Sequence, residues 1–293
     1  MKLALHGGAG NIPKKLQPER AEILEKAARD GLACKNPLAA VEKAINVLED
    51  HPLFNAGYGG SLQHDGEVRL DASIMRADLS CGSVTGIKGI KHAVSVARKV
   101  MEESPHVFLG GEGANNFAHE FGFAQEDLRE ERAIEKWRGL LEEIGDLSYR
   151  ETLAAFKRKG RERTVPHSGE KDTVGAVAVD EGQMVAATST AGRTVQMQGR
   201  IGDSPIIGSG VYCNESGAVS TTGVGEAIIP VCLARQAIYE LEKGKSPQQA
   251  ADEAISFLAE KTRSHAGLLL LDDEGEVSAA YNTRDMQYVV MER

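Results

Sequence analysis

At 293 residues, with 41% hydrophobic and 26% charged side chains, the chain has the composition of an ordinary globular protein and can bury a sizeable core as one large domain or two small ones. Its 34 Lys and Arg against 43 Asp and Glu give a formal net charge of −9, which argues against a general role on nucleic acid or an anionic membrane and leaves a small polar molecule as the default partner. Cys34, Cys81, Cys213 and Cys232 show neither CxxC pairing nor metal-ligand spacing and read as small core residues in a reducing compartment; no run approaches membrane-spanning length and Gly7-Gly8 arrives too early for a signal peptide, so a cytoplasmic location is expected.

In chain order, Lys2 to Leu5 reads as a short buried strand delivering the loop His6-Gly7-Gly8-Ala9-Gly10. A helix is predicted from Pro18 to Leu32, and a second from Pro37, with Leu38, Val41, Ile45 and Leu48 on one face, ending before His51-Pro52. Asn55-Ala56-Gly57-Tyr58-Gly59-Gly60 is followed by a hairpin in which Leu62 and Val68 to Leu70 flank His64-Asp65-Gly66, then by a strand over Ser73 to Ala77 and the segment Cys81 to Val84. His92 to Glu103 has helical period, and strand Val107 to Leu109 enters a loop, Gly110-Gly111-Glu112-Gly113.

Gln125 to Lys159 is charged and helix-compatible, thinning into the basic run Lys157 to Arg163, which lacks interleaved aromatics and reads as a solvated, flexible segment rather than a nucleic-acid patch. After Asp172 the texture changes. Thr173 to Val179 and Met184 to Thr188 read as a hairpin around Asp180-Glu181-Gly182-Gln183, and Val211 to Cys213 and Ala218 to Ser220 as further strands. Helices over Glu226 to Glu242 and Pro247 to Lys261 precede two last strands, Gly267 to Leu271 and Val277 to Tyr281. Such clustering suggests sheets packed together with helical layers outside.

Thr173 follows the turn-rich stretch Gly169-Glu170-Lys171-Asp172 and opens an apolar strand. A Thr there is a good strand former; with the preceding peptide bond cut, it would also hold a hydroxyl to attack a carbonyl and an α-amine to take the proton. Three Thr-Gly segments follow: Thr173-Val174-Gly175, Thr188-Ser189-Thr190-Ala191-Gly192 and Thr221-Thr222-Gly223-Val224-Gly225-Glu226. Small residues at strand ends let backbone N–H groups approach a substrate, the composition of an oxyanion hole and equally of ordinary turns. Between them, Arg200 and Asp203 in Gly199-Arg200-Ile201-Gly202-Asp203-Ser204-Pro205 form either a clamp for the α-carboxylate and α-ammonium of an amino acid or a surface salt bridge. Cys81 reads as a structural thiol, and neither Gly-rich loop has the spacing of a phosphate-binding motif.

Taken together, HGGAG, PLFNAG, LDASIM, GEGA, DTVGAVAVD, TST, GRIGDSP and TTGVGE, in this order from Leu5 to about Asn282, resemble the plant-type asparaginase and isoaspartyl peptidase family of N-terminal nucleophile hydrolases. The resemblance implies one α+β domain over 1–293, a four-layer αββα sandwich with two antiparallel sheets between helical layers. It implies autoproteolysis of the Asp172-Thr173 bond into an α subunit, 1–172, and a β subunit, 173–293, which pair as a dimer of αβ heterodimers. Thr173 is then the nucleophile, Thr190 its hydrogen-bond partner, Thr222 and Gly223 the oxyanion-hole pair, Arg200 and Asp203 the substrate clamp, and Asn55 a neighbour of the nucleophile. No cofactor is implied for catalysis; a structural sodium ion on backbone carbonyls of Leu48, Glu49, His51, Phe54, Ala56 and Tyr58 is. The implied reaction is hydrolysis of β-aspartyl dipeptides and L-asparagine to L-aspartate. Asp172, where relatives often have Gly, makes an aspartylglucosaminidase-like or taspase-like activity the alternative.

Overall fold

The computed structural model of the chain describes residues 1–145, 150, 151 and 173–293. Asp172, the rest of the proposed cleavage stretch before it and the basic run 157–163 lie outside the described residues. The strands are β1 (Lys2–Gly10), β2 (Arg69–Arg76), β3 (Cys81–Lys88), β4 (Phe108–Gly110), β5 (Val174–Asp180), β6 (Gln183–Thr190), β7 (Val211–Asn214), β8 (Gly217–Gly223), β9 (Ala266–Asp272), β10 (Val277–Tyr281) and β11 (Asp285–Glu292). The helices are α1 (Gln17–Leu32), α2 (Pro37–Glu49), α3 (Ala93–Glu103), α4 (Gly111–Glu120), α5 (Glu131–Ile144), α6 (Gly225–Val231), α7 (Leu233–Glu242) and α8 (Pro247–Thr262).

Local chemistry explains most boundaries. Pro37 begins α2 behind Asn36, whose side chain accepts from Ala39 N at 2.9 Å, and α8 starts at Pro247 behind the Ser246/Gln249 capping box. The β5–β6 hairpin closes on Glu181 (φ 48°) and Gly182 (φ 76°), two left-handed residues that match the twist of the strands they join.

Seven strands form one sheet in the order β11-β1-β5-β6-β2-β3-β4, and four form another, β10-β9-β8-β7. Every neighbouring pair is antiparallel except β3 with β4, which is parallel. Helices α1 to α4 pack on the outer face of the large sheet, α7 and α8 cover the outer face of the small one, and β1, β2, β5 and β6 face β7, β8 and β9 between them. The result is the αββα sandwich implied by the motifs.

The alternation of side chains assigns each strand residue to a layer. Leu3, Leu5, Val174, Ala176, Ala178, Val185 and Ala187 join the core under α1 to α4, whereas Ala4, Val177, Ala186, Ala218, Leu269 and Leu271 fill the seam between the sheets. A third core, with Val219, Leu268, Leu270, Ile238 and Leu258, lies under α6 to α8.

The structure departs from the sequence reading in five places. The first strand runs through the expected loop to Gly10, because a bulge between His6 and Ala9 absorbs Gly7-Gly8, with Gly8 at φ 110°. Gly110 to Gly113 is not a loop but the end of β4 and the first turn of α4, where glycines obscure the helical signal. The helix expected over Glu226 to Glu242 breaks at Cys232 (φ 48°), just after Pro230, which has no N–H to continue it. Cys232 is accordingly exposed rather than core, Cys34 and Cys81 are half-buried, and Cys213 alone of the four cysteines is buried. Finally, β11 closes the chain beyond β10 as an edge strand on β1.

The sheets meet most tightly at Gly175. A Cβ there would lie 1.9 Å from Ser220 Oγ and 2.3 Å from His6 Nε2. Gly175→Ala is therefore expected to destabilise the protein by about 2 kcal/mol or more, read from the midpoint of urea unfolding against the wild type.

Candidate active site

The same alternation that puts Ala4, Val177, Ala186 and Ala218 in the seam puts His6, Thr173, Thr188, Thr190, Ser220 and Thr222 on its continuation at one end of the sheets. Asp71 and Ser73 share the seam face of β2 with Met75. The seam is thus apolar at one end and polar at the other, with every one of these polar residues buried. Such groups are stable there only with partners.

Thr173 directly precedes β5, in the middle of the large sheet, and is 7% exposed. The β5–β6 ladder, in which Val174 faces Ser189, places Thr190 one rung further on, across from Thr173. Thr190 Oγ1 accepts from Gly192 N at 3.0 Å, and on its other side Thr190 pairs with Asp71. The hydroxyl that reaches Thr173 is that of Ser204, at 3.5 Å between oxygens. Ser204 is itself fixed, its carbonyl accepting from Ser73 Oγ and, at 2.9 Å, from Thr188 Oγ1.

Thr222, at the end of β8, is fully buried, and its hydroxyl has no hydrogen-bond partner among the described residues. Gly223 beside it has φ 144°, and a Cβ would lie 2.7 Å from Ala266 Cα, so only glycine fits this strand end. A buried hydroxyl without a partner among the described residues, next to a half-buried glycine at a strand end, suits an incoming oxyanion.

Arg200 and Asp203 converge on Gly225, the first residue of α6, where a Cβ would lie 2.7 Å from Arg200 Nη2 and 3.0 Å from Asp203 Oδ1. The ion pair of Arg200 is made with Glu226, not Asp203: Nε and Nη2 contact the two Glu226 oxygens at 2.9 and 3.1 Å, and Nη1 reaches Gln196 Oε1 at 3.3 Å. Although partial burial works the other way, that guanidinium holds the Glu226 carboxyl down to about 2. Burial pushes Asp203 up to about 6, against the attraction of Arg200 and a 3.3 Å bond from Thr221 Oγ1. Burial also raises Asp71, whose Oδ1 accepts from Thr85 Oγ1 at 2.7 Å and Gly86 N at 2.9 Å.

Behind these groups a frame fixes the strand ends. Burial drives the His6 imidazole down to about 3, so it stays neutral, and Nε2 and Ser220 Oγ, 2.7 Å apart, share a hydrogen bond across the seam. The buried Arg20 guanidinium donates to Gly7 O, Leu53 O and Gln287 Oε1 and lies 4.6 Å from the Phe54 ring centroid, binding the glycine bulge of β1 to the loop after α2. Asn55 Nδ2 donates to Gly192 O at 2.6 Å, its Oδ1 accepts from Ser61 N at 2.8 Å, and its carbonyl accepts from Ala191 N at 2.9 Å. Its hydrogen bonds therefore brace the turn that follows Thr190.

In the segment matched to a sodium loop, a Cβ on Gly57 or Gly59 would fall 2.1 Å from the carbonyl oxygens of Glu49 or Phe54. These carbonyls turn inward on a glycine cradle. The Glu49 side chain points elsewhere: Oε1 accepts from Ser189 Oγ at 2.6 Å and Val94 N at 3.2 Å, and burial raises the carboxyl to about 8. Cys81, opposite Met75 at the far end of β2 from Asp71, has its thiol pushed up by burial, as befits a structural cysteine.

His6, Asp71, Ser204 and Glu226 received no role from the sequence, although all four sit inside motifs quoted for the resemblance. Their only signal was position. Nothing in a linear reading says that Ser204 comes within reach of the Thr173 hydroxyl, or that Glu226 holds Arg200.

Two sheets face to face between helical layers, with hydroxyl-bearing strand ends gathered at one end of the seam, define an N-terminal nucleophile hydrolase fold. The chain belongs to the asparaginase family, whose model matches residues 1–293. It is similar to a plant-type L-asparaginase of Pyrococcus horikoshii, 42% identical over 297 residues, covering 99% of this chain and 95% of the relative. A plant-type L-asparaginase of Pyrococcus furiosus is 41% identical over 298 residues, with coverage of 99% and 95%. An isoaspartyl peptidase/L-asparaginase of Rattus norvegicus is 40% identical over 294 residues, covering 97% of this chain and 84% of its own length.

Because Asn55 ties two loops through both ends of its amide, Asn55→Ala should cost about 2 kcal/mol of stability. It should also lower activity by loosening the turn after Thr190; thermal melting and kcat on one preparation check both.

Proposed function

We propose that this protein is a self-processing threonine amidohydrolase that releases L-aspartate from β-aspartyl dipeptides and L-asparagine. The observation that carries the reading is the placement of Thr173 at the start of the central strand, with Thr190 across the ladder and the unpartnered Thr222 hydroxyl on the same seam. The names of the relatives supply the substrates.

In the precursor the Thr173 hydroxyl attacks the carbonyl of Asp172, the acyl group moves from nitrogen to oxygen, and water cleaves the ester. This frees the α-amine, whose ordinary pKa of about 7.7–8.0 leaves it substantially neutral and able to take the hydroxyl proton. Attack on the side-chain carbonyl of substrate gives a tetrahedral oxyanion. The Thr222 hydroxyl and Gly223 N–H donate to it, each worth about 3–4 kcal/mol in comparable sites. Ammonia or an amino acid leaves with the proton, and water releases aspartate from the ester.

Glu226 holds Arg200 side-on through Nε and Nη2, and the substrate α-carboxylate takes the Nη1/Nη2 end, where Nη1 otherwise donates to Gln196 Oε1 at 3.3 Å. Asp203 takes the α-ammonium. A sodium ion on carbonyls of Leu48, Glu49, His51, Phe54, Ala56 and Tyr58 would stiffen the loop that carries Asn55; the inward carbonyls of Glu49 and Phe54 support this. Pairing of two processed heterodimers and a cytoplasmic location complete the reading, the latter supported by four free thiols.

A denaturing gel with N-terminal sequencing should show two fragments, the smaller beginning at Thr173, and Thr173→Ala should stay intact and inactive. An intact wild-type chain with full activity would falsify the mechanism. Assays with β-aspartyl-leucine, asparagine and a glycosylated asparagine then rank the substrates, the last favoured only if Asp172 marks an aspartylglucosaminidase-like site.

The Asp203 carboxyl, raised to about 6, must be ionised to hold the substrate ammonium. As pH falls through 6 it gains a proton, so KM should rise by up to about tenfold per pH unit below that point, beyond the loss from protonating the Thr173 amine. A KM independent of pH between 4.5 and 7 would remove Asp203 from substrate binding.

A further inference from the structure

Asparagine and a β-aspartyl dipeptide present the same aspartyl group to Arg200, Asp203, Thr222 and Gly223. They differ only beyond the scissile bond, where one loses ammonia and the other an amino acid that carries a free carboxylate. The inner pocket is poorly suited to that second anion, because Glu226, Asp203 and Asp71 all act on the single guanidinium of Arg200. A further cation at the rim would receive it.

Arg193 occupies such a position. It lies three residues beyond Thr190, on the turn that Asn55 braces, and its own N–H donates to Gln196 Oε1 at 2.8 Å. The adjoining Gly192 N bonds to the Thr190 hydroxyl at 3.0 Å, so the backbone of the turn is held directly against the site. The side chain is 49% exposed, and its ion pair is a long one, 3.9 Å to a Glu226 carboxylate already engaged on both oxygens by Arg200. Among the described residues the Arg193 guanidinium makes no side-chain hydrogen bond, so its planar fork is available for a carboxylate.

Resting on the threonine amidohydrolase reading above, we propose that Arg193 binds the free α-carboxylate of the departing amino acid and so makes this site favour β-aspartyl peptides over asparagine. It is a specificity-determining residue for the leaving group. It takes no part in the proton transfers and is placed to pair with an anion that asparagine lacks.

The test compares kcat/KM of the processed wild type on β-aspartyl-leucine, on β-aspartyl-leucinamide, in which that carboxylate is blocked, and on asparagine. The wild type should prefer the free acid to the amide. Arg193→Met, similar in length but uncharged, should reduce that acid-to-amide ratio by about twofold to fivefold, the range expected of a partly exposed charged contact. Arg193→Lys should retain part of it, and Arg193→Glu should invert it. In the wild type, raising the salt from 0.02 to 0.5 M should shrink the ratio.

An acid-to-amide ratio unchanged in Arg193→Met overturns the proposal, as does an equal fall on all three substrates, which would mean that Arg193 only steadies Glu226. Failure of the wild type to hydrolyse any of them overturns the amidohydrolase reading itself, an outcome distinct from either.

Discussion

The site depends on how closely two sheets approach at Gly175. Stacked sheets ordinarily leave about 10 Å for interdigitated side chains. Here that space is filled from both sides by His6 of β1 and Ser220 of β8, which leaves no room for a side chain on β5. Their hydrogen bond pairs His6 Nε2 with Ser220 Oγ and binds the sheets at the rung of Gly175, two residues from Thr173. Because burial keeps His6 neutral, the bond carries no charge into the seam. The polar end of the sandwich is thus buried and held in place, a condition in which donors aimed at a developing charge act most strongly.

Around this frame the electrostatics are uneven by construction. One largely buried arginine is surrounded by Glu226, Asp203 and Asp71, and each carboxylate responds differently. Glu226, in direct contact with Arg200, is held strongly ionised; Asp203 and Asp71, more deeply buried, are pushed toward protonation. One cation therefore sets three different acidities according to distance and burial.

Much of the fold was legible in the chain because short-range physics specifies it. The apolar period of Leu38, Val41, Ile45 and Leu48, the Asn36-Pro37 start of α2 and the Glu181-Gly182 turn each act within a few residues, and the structure keeps them. The misses share a cause. The apolar spacing of Ile228, Val231, Ala234 and Ile238 runs on across the break at Cys232, so periodicity alone hid it. The strand β11 alternates apolar residues on both faces, with Tyr288 and Val290 exposed, and has no clean period to read. In Gly110 to Gly113, the weak helix propensity of glycine concealed a helix stabilised by packing on β3 and β4.

The sequence alone determined the order of most elements, the layer to which most strand residues belong and the set of small, hydroxyl-bearing and charged residues from which a site is made, because alternation, helical period and turn chemistry are local. Only the tertiary structure decided which of those residues meet. Ser204 Oγ comes within 3.5 Å of the Thr173 hydroxyl, Glu226 rather than Asp203 pairs with Arg200, and Asn55 binds the turn beyond Thr190 through two hydrogen bonds. These partners are separated by up to 137 residues and come together only when the strands are in register and the two sheets close. No local rule ranks one polar neighbour above another; distance and burial in the folded chain do.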